Sequence, residues 1–220
     1  MTRIALIHAV YVAIEPIASS FKRLWPEAEC ANLIDDALPG DLERAGTLDE
    51  PIARRIHGLA TLAADAGAAG ILYTCSAFGS AIERTAQGFA IPVLKPNEAM
   101  FQAALDQGKR IAMLATFAPS VPSMEEEFRA MARARGSDAT LETYCVPDAL
   151  AAAKRGDIAL HDKLVAEAAP RFQDHDAVLL AHFSTSTARE QVEQVLGRSV
   201  LTAPDAAVVN LRQALAVHTT

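Results

Sequence analysis

Ile71-Leu72-Tyr73-Thr74-Cys75-Ser76 is a short apolar run that ends in small polar residues. Its pattern returns as Leu179-Leu180-Ala181-His182-Phe183-Ser184. Aligned on their closing serines, the two runs lie 108 residues apart. Two further pairs keep nearly the same spacing. Arg3-Ile4-Ala5-Leu6-Ile7 returns as Arg110-Ile111-Ala112-Met113-Leu114 at an offset of 107, and Ile91-Pro92-Val93-Leu94-Lys95-Pro96 as Ser199-Val200-Leu201-Thr202-Ala203-Pro204 at 108. A single match between short apolar runs means little. Three in order, at a near-constant offset, indicate two similar halves. The expected division is 1–96 with 205–220 for the first half and 97–204 for the second.

Within each half, short apolar runs flanked by turn residues alternate with longer helical patterns. Such runs read as buried parallel strands. They are Ile4–His8, Ala28–Leu33, Gly70–Tyr73 and Pro92–Leu94 in the first half. In the second they are Arg110–Ala115, Thr140–Cys145, Ala177–Ala181 and Val200–Thr202. Ile52, Ile56, Leu59 and Ala63 make a helical stripe over Ile52–Gly67. Ser123 and Glu126 have capping-box spacing for a helix ending near Gly136. Asn97 and Asp205 are expected caps of the helices Asn97–Gln107 and Asp205–His218. The last of these is expected to pack on the first half. The fold class is therefore α/β: two doubly wound, flavodoxin-like parallel-sheet halves related by a pseudo-twofold, with the active-site cleft between them.

Ligands of open parallel sheets bind beyond the carboxyl ends of the strands. Four such ends carry chemistry: His8 with Tyr11, Thr74-Cys75-Ser76, Thr116-Phe117, and His182-Phe183-Ser184-Thr185. Cys75 stands between a strand end and the start of a helix, where amide groups and the helix dipole favour a thiolate. An inert buried cysteine is the other reading. On the 108 offset, His182 matches Thr74 and could act as a second acid or base; a histidine bonded to backbone is the alternative. His8 could bind a carboxylate or lie beneath Tyr11. His57, His161, His175 and His218 read as surface groups. The segment from Phe117 to Pro122, stiffened by two prolines, could wall the cleft or simply connect its neighbours.

The 220 residues are 51% apolar and 21% charged, a globular composition. With 20 basic against 27 acidic residues, net −7, neither nucleic acid nor an anionic membrane is an expected partner. Three scattered cysteines (Cys30, Cys75, Cys145) show no metal-ligand spacing, so no metal is expected. They suggest a reducing compartment, and the cytoplasm is expected. The apolar run Ile4–Ile14 is not read as a signal core, because its pattern recurs in mid-chain. No dinucleotide, Walker or G-x-S-x-G motif is present. A homodimer or higher homo-oligomer is the default assembly.

The chain resembles the aspartate/glutamate racemase superfamily, which includes hydantoin racemases, maleate isomerases and arylmalonate decarboxylases. The resemblance rests on Gly70-Ile71-Leu72-Tyr73-Thr74-Cys75-Ser76, on the segment from Ile91 to Met100, on Lys109 to Thr116, and on Asp176 to Ser184. It implies a cofactor-independent isomerase or racemase acting on a small carboxylic acid. Cys75 would be the acid/base or nucleophile. Thr74, Ser76, Thr116, Ser184 and Thr185 would supply donors. Where the superfamily carries a second cysteine, this chain has Phe183, or His182 if the register moves by one. His8-Ala9-Val10-Tyr11, Phe117 and Phe183 imply an apolar pocket for a substrate without an amino group. A single-thiol decarboxylase or a non-catalytic carboxylate binder are the alternatives.

Overall fold

The computed structural model describes residues 2–218, with the side chain of His218 outside the described residues. It divides into two compact units, one of residues 1–96 with 207–220 and one of residues 97–206.

Unit 1 holds β1 (Thr2–His8), β2 (Ala28–Ile34), β3 (Gly70–Tyr73) and β4 (Val93–Leu94), all parallel in the order β2-β1-β3-β4. Its helices are α1 (Ile14–Leu24), α2 (Leu38–Ala45), α3 (Glu50–Asp65) and α4 (Gly79–Ala86). Unit 2 repeats the plan after α5 (Glu98–Gln107). Its strands are β5 (Arg110–Ala115), β6 (Thr140–Cys145), β7 (Ala177–Leu180) and β8 (Leu201–Thr202), ordered β6-β5-β7-β8. Between them run α6 (Val121–Ala134), α7 (Ala149–Lys154), α8 (Ile158–Ala168) and α9 (Arg189–Leu196). The chain closes with α10 (Ala203–His218).

The central strands are buried on both faces, as their continuous apolar runs require. Ile7, Ile71 and Tyr73 pack with Ile56 of α3 and Ile82 of α4. Leu114, Val178 and Leu180 pack with Val165 of α8 and Val192 of α9. Each such side chain contributes about 1.5–3 kcal/mol of burial. Gly70 admits α10: a Cβ there would stand 2.9 Å from Leu211 Cδ1 and 3.4 Å from Leu215 Cδ1. Arg212, on the same helix, donates to the Leu24 carbonyl that ends α1, at 3.0 Å.

Four expectations need correction. β2 and β6 are not buried strands. Each stands at one edge of its sheet, and Glu29, Asn32, Thr140 and Glu142 face solvent. The proposed box Ser123/Glu126 does not cap α6, which starts two residues earlier, with Pro122 in its first turn; proline is pre-set for that position. Asn97 stands at the cap position of α5 but makes no cap bond. Asp205 lies inside the first turn of α10, where it pairs with Arg189 at 2.7 Å. Aspartates cap elsewhere: Asp49 accepts from Ile52 N and Asp157 from Leu160 N, each at 3.0 Å.

The strand ladders fix how the halves correspond. Ile7 pairs with Tyr73 and Leu114 with Leu180. One residue on, the Thr74 amide donates to the Ile7 carbonyl at 3.0 Å, and the Ala181 amide donates to the Leu114 carbonyl at 2.9 Å. Likewise Leu72 pairs with Leu94, and Leu179 with Leu201. Thr74 thus corresponds to Ala181, Cys75 to His182, and Ser76 to Phe183. The 108 offset is a one-residue slip, because the serine match that suggested it lies past the ladder. Hydrogen-bond register, not loop similarity, decides equivalence.

Candidate functional site

In unit 1 the carboxyl ends of three strands are tied through one ring. His8, 1% exposed, closes β1. Its Nε2 lies 2.9 Å from Asn32 Oδ1 on β2, and its Nδ1 lies 2.9 Å from the Thr74 hydroxyl after β3. The Asn32 oxygen only accepts, so the ring carries its proton at Nε2 and receives the Thr74 proton at Nδ1. Burial lowers the pKa of His8, with the Asn32 bond opposing. Both ring nitrogens are therefore committed within the unit. His8 holds Thr74 in place rather than offering a free nitrogen to a carboxylate, and the Thr74 hydroxyl is a donor to His8.

Cys75 follows directly and is half-buried. The expected activated thiolate is corrected: burial pushes the thiol above its ordinary value, with the Ala77 amide pulling less strongly the other way. The physical reason is local. Cys75 opens a three-residue 3-10 turn, Ser76–Phe78, and α4 begins only at Gly79. The helix dipole, which falls off within a turn, starts too far along to offset the burial. At neutral pH the group is a thiol carrying its proton. The Ser76 hydroxyl beside it is half-buried and has no side-chain hydrogen bond among the described residues. Tyr11 is 63% exposed between exposed Val10 and Val12. The charge of Asp36, and a hydrogen bond to it, raise the Tyr11 pKa.

In unit 2, the Thr116 and Thr185 hydroxyls meet at 3.2 Å, both buried, joining the end of β5 to the 3-10 turn Ser184–Ala188. Phe183 is 2% exposed, a buried side chain. Phe117 is 42% exposed and stands edge-on to the His182 ring at 6.4 Å. His182 has a left-handed backbone, φ 66°, which costs a non-glycine residue about 1–3 kcal/mol. Its Nε2 lies 2.6 Å from the Ser120 hydroxyl, which also donates to the Phe117 carbonyl at 2.9 Å. Its Nδ1 is buried with no partner among the described residues. Burial drives its pKa down to about 4, the Ala181 backbone opposing. Ser184 offers its carbonyl to the Thr187 hydroxyl at 3.1 Å.

Of the remaining histidines, His57 is exposed as expected. His161 is not a surface group. It is 1% exposed on the inner face of α8, its Nδ1 lying 2.7 Å from Asp162. His175 is also largely covered and lies 3.2 Å from Glu142. Cys30 and Cys145 are free and half-buried, and burial raises both thiols, Cys30 to about 11. Sequence reasoning missed Asn32, Ser120 and Asp162. Among the described residues, no cluster of three or more His, Cys, Asp or Glu could hold a metal ion. No described helix is long and apolar enough to cross a membrane.

A family model described as Asp/Glu/hydantoin racemase matches residues 41–211. No curated protein sequence matches significantly. Among solved structures, the chain is similar to Picrophilus torridus aspartate racemase, with a TM-score of 0.76 and 13% identity over 98% of this chain and 95% of that one. It is similar to allantoin racemase from Klebsiella pneumoniae, at 0.71 and 16% over 99% and 89%. A liganded mutant of arylmalonate decarboxylase gives 0.60 and 18% over 98% and 93%. At these identities the structural likeness shows a shared fold.

Proposed function

We propose that this chain, which belongs to the Asp/Glu/hydantoin racemase family, is a cofactor-independent isomerase or racemase that moves a proton at the carbon beside a carboxylate. Cys75 and His182 are the groups that carry the proton. The observation that carries the reading is the strand register, which gives His182 in unit 2 the position that Cys75 holds in unit 1.

The two groups are complementary at rest. The thiol holds its proton, because burial raises its pKa. The imidazole is unprotonated, because burial lowers its pKa to about 4. The neutral ring takes the α-proton, breaking the C–H bond and leaving an enediolate. The thiol gives its proton to the same carbon, forming the new C–H bond. Imidazolium and thiolate remain, and solvent returns the proton from ring to sulfur. Donors such as the Ser76 hydroxyl would stabilise the enediolate; losing one such donor typically costs about 3 kcal/mol of barrier. Exposed Val10, Tyr11, Val12 and Phe117 support an apolar substituent on the substrate and no ammonium group.

A second reading is favoured by the protonated thiol itself. A decarboxylase needs one proton donor for the enediolate left when carbon dioxide departs, and Cys75 fits that role without a base. NMR in deuterated water with substituted malonates, amino acids, hydantoins and maleate separates the readings. Cys75-dependent deuterium at an α-carbon without loss of carbon dioxide supports isomerisation. Deuterated product with carbon dioxide release supports the decarboxylase. Shift changes that report binding with no product at saturating protein favour a carboxylate binder and overturn both.

A further inference from the structure

The bond between Ser120 and His182 has one arrangement in which the Ser120 hydroxyl serves both of its short contacts. Ser120 closes the 3-10 turn Ala118–Ser120 and stands at the cap position of α6. Its hydroxyl lies 2.6 Å from His182 Nε2 and 2.9 Å from the Phe117 carbonyl oxygen. A hydroxyl has one proton, and a carbonyl only accepts. Both short distances are met when the hydroxyl donates to Phe117 and the ring donates its Nε2–H to the hydroxyl. A neutral imidazole has one N–H, so Nδ1 keeps a bare lone pair. That atom is buried and unpartnered among the described residues. The left-handed backbone of His182, φ 66°, is a conformation that persists only where the surroundings over-determine it. Cys75, at the equivalent place, has an ordinary extended backbone and no side-chain cap bond.

We propose that Ser120 is a positioning residue: it holds His182 as the Nε2–H tautomer and so makes Nδ1 the proton-accepting atom. This rests on the role proposed above for His182. Substituting Ser120 releases the ring to the other tautomer, in which Nδ1 carries the proton and can no longer accept one. The competing arrangement, in which the serine donates to Nε2, would make Ser120 and His182 a nucleophile–base pair instead. It leaves the Phe117 carbonyl with the Ser120 amide alone, at 3.2 Å, and gives up the shorter hydroxyl bond.

The test is ¹⁵N NMR of the full chain labelled at histidine, at neutral pH, with the His182 signals identified by their loss in His182→Gln. The proton is expected on Nε2 in the native protein. Ser120→Ala is expected to move it wholly or partly to Nδ1, and Ser120→Thr to restore it. A proton resting on Nδ1 in the native protein overturns the assignment, and so does a native tautomer in Ser120→Ala. On the compound that turns over in the panel above, Ser120→Ala is expected to lower kcat on the order of 10- to 100-fold with KM unchanged, and Ser120→Thr to recover it. Full turnover in His182→Gln, with the tautomer behaving as described, refutes the role given to His182 and leaves the Ser120 assignment supported.

Discussion

His182 makes the fold sensitive to acid in a window its own pKa defines. In the unfolded chain its imidazole protonates near 6.5, and in the folded protein burial holds that event down to about 4. Between these values the unfolded chain binds the extra proton, so stability falls as pH falls. It is fully present above 6.5 and fully lost below about 4. The gap is worth about 3 kcal/mol, at about 1.4 kcal/mol per pH unit. By about pH 4.5 roughly 2.5 kcal/mol of it is gone. Urea unfolding of the native protein and of His182→Gln, at neutral pH and near pH 4.5, reads this directly. His8, whose pKa is lowered by burial in the same sense, titrates in both proteins and cancels. The native protein is expected to lose roughly 2.5 kcal/mol more than the variant over that interval. Equal losses would refute the buried, neutral state of His182 and the polarised thiol/imidazole pair built on it.

Other perturbations probe the same account. Alkylation of Cys75 by iodoacetamide in the free protein is expected to accelerate only above the ordinary thiol range, since burial raises its pKa; acceleration below pH ~8 would contradict this. Thr74→Val keeps the shape but leaves His8 Nδ1 buried without its 2.9 Å partner. It is expected to cost about 1–3 kcal/mol in denaturant unfolding. Gly108→Ala would place a Cβ 2.4 Å from Asp176 Oδ2, the oxygen that accepts from the Lys109 and Arg110 amides at 2.7 and 2.8 Å. It is expected to destabilise by about 1–3 kcal/mol from overpacking alone, read by thermal unfolding.

The parts of the fold legible in the sequence are those with local causes. β1, β3, β5 and β7 are short apolar runs because they are covered on both faces, and Gly70–Tyr73 and Arg110–Ala115 emerge with the bounds expected. The outer strands β2 and β6 were legible as strands, but not as half-exposed ones, since position in the sheet depends on pairing rather than on their own residues. Cys75 was legible as a strand-end group. The direction of its pKa was not, because a three-residue turn and a helix start look alike in sequence while their dipoles do not. The partners that set the site chemistry lie far apart in the chain. Ser120 meets His182 across 62 residues, and His8 meets Asn32 across 24; no spacing rule connects them. His161 read as a surface group from its helical context alone, although it is 1% exposed and meets Asp162 at 2.7 Å on the inner face of α8. The one-residue slip that set Phe183 opposite Cys75 came from matching serines outside the hydrogen-bonded ladder.

The most direct test of the central claim is exchange of the α-proton of a turned-over carboxylic acid with deuterated water, followed by NMR in the native protein and in Cys75→Ala. A loss of about 10²- to 10⁴-fold is expected in the variant, with its urea midpoint unchanged. Exchange at the native rate in a folded Cys75→Ala protein would contradict it.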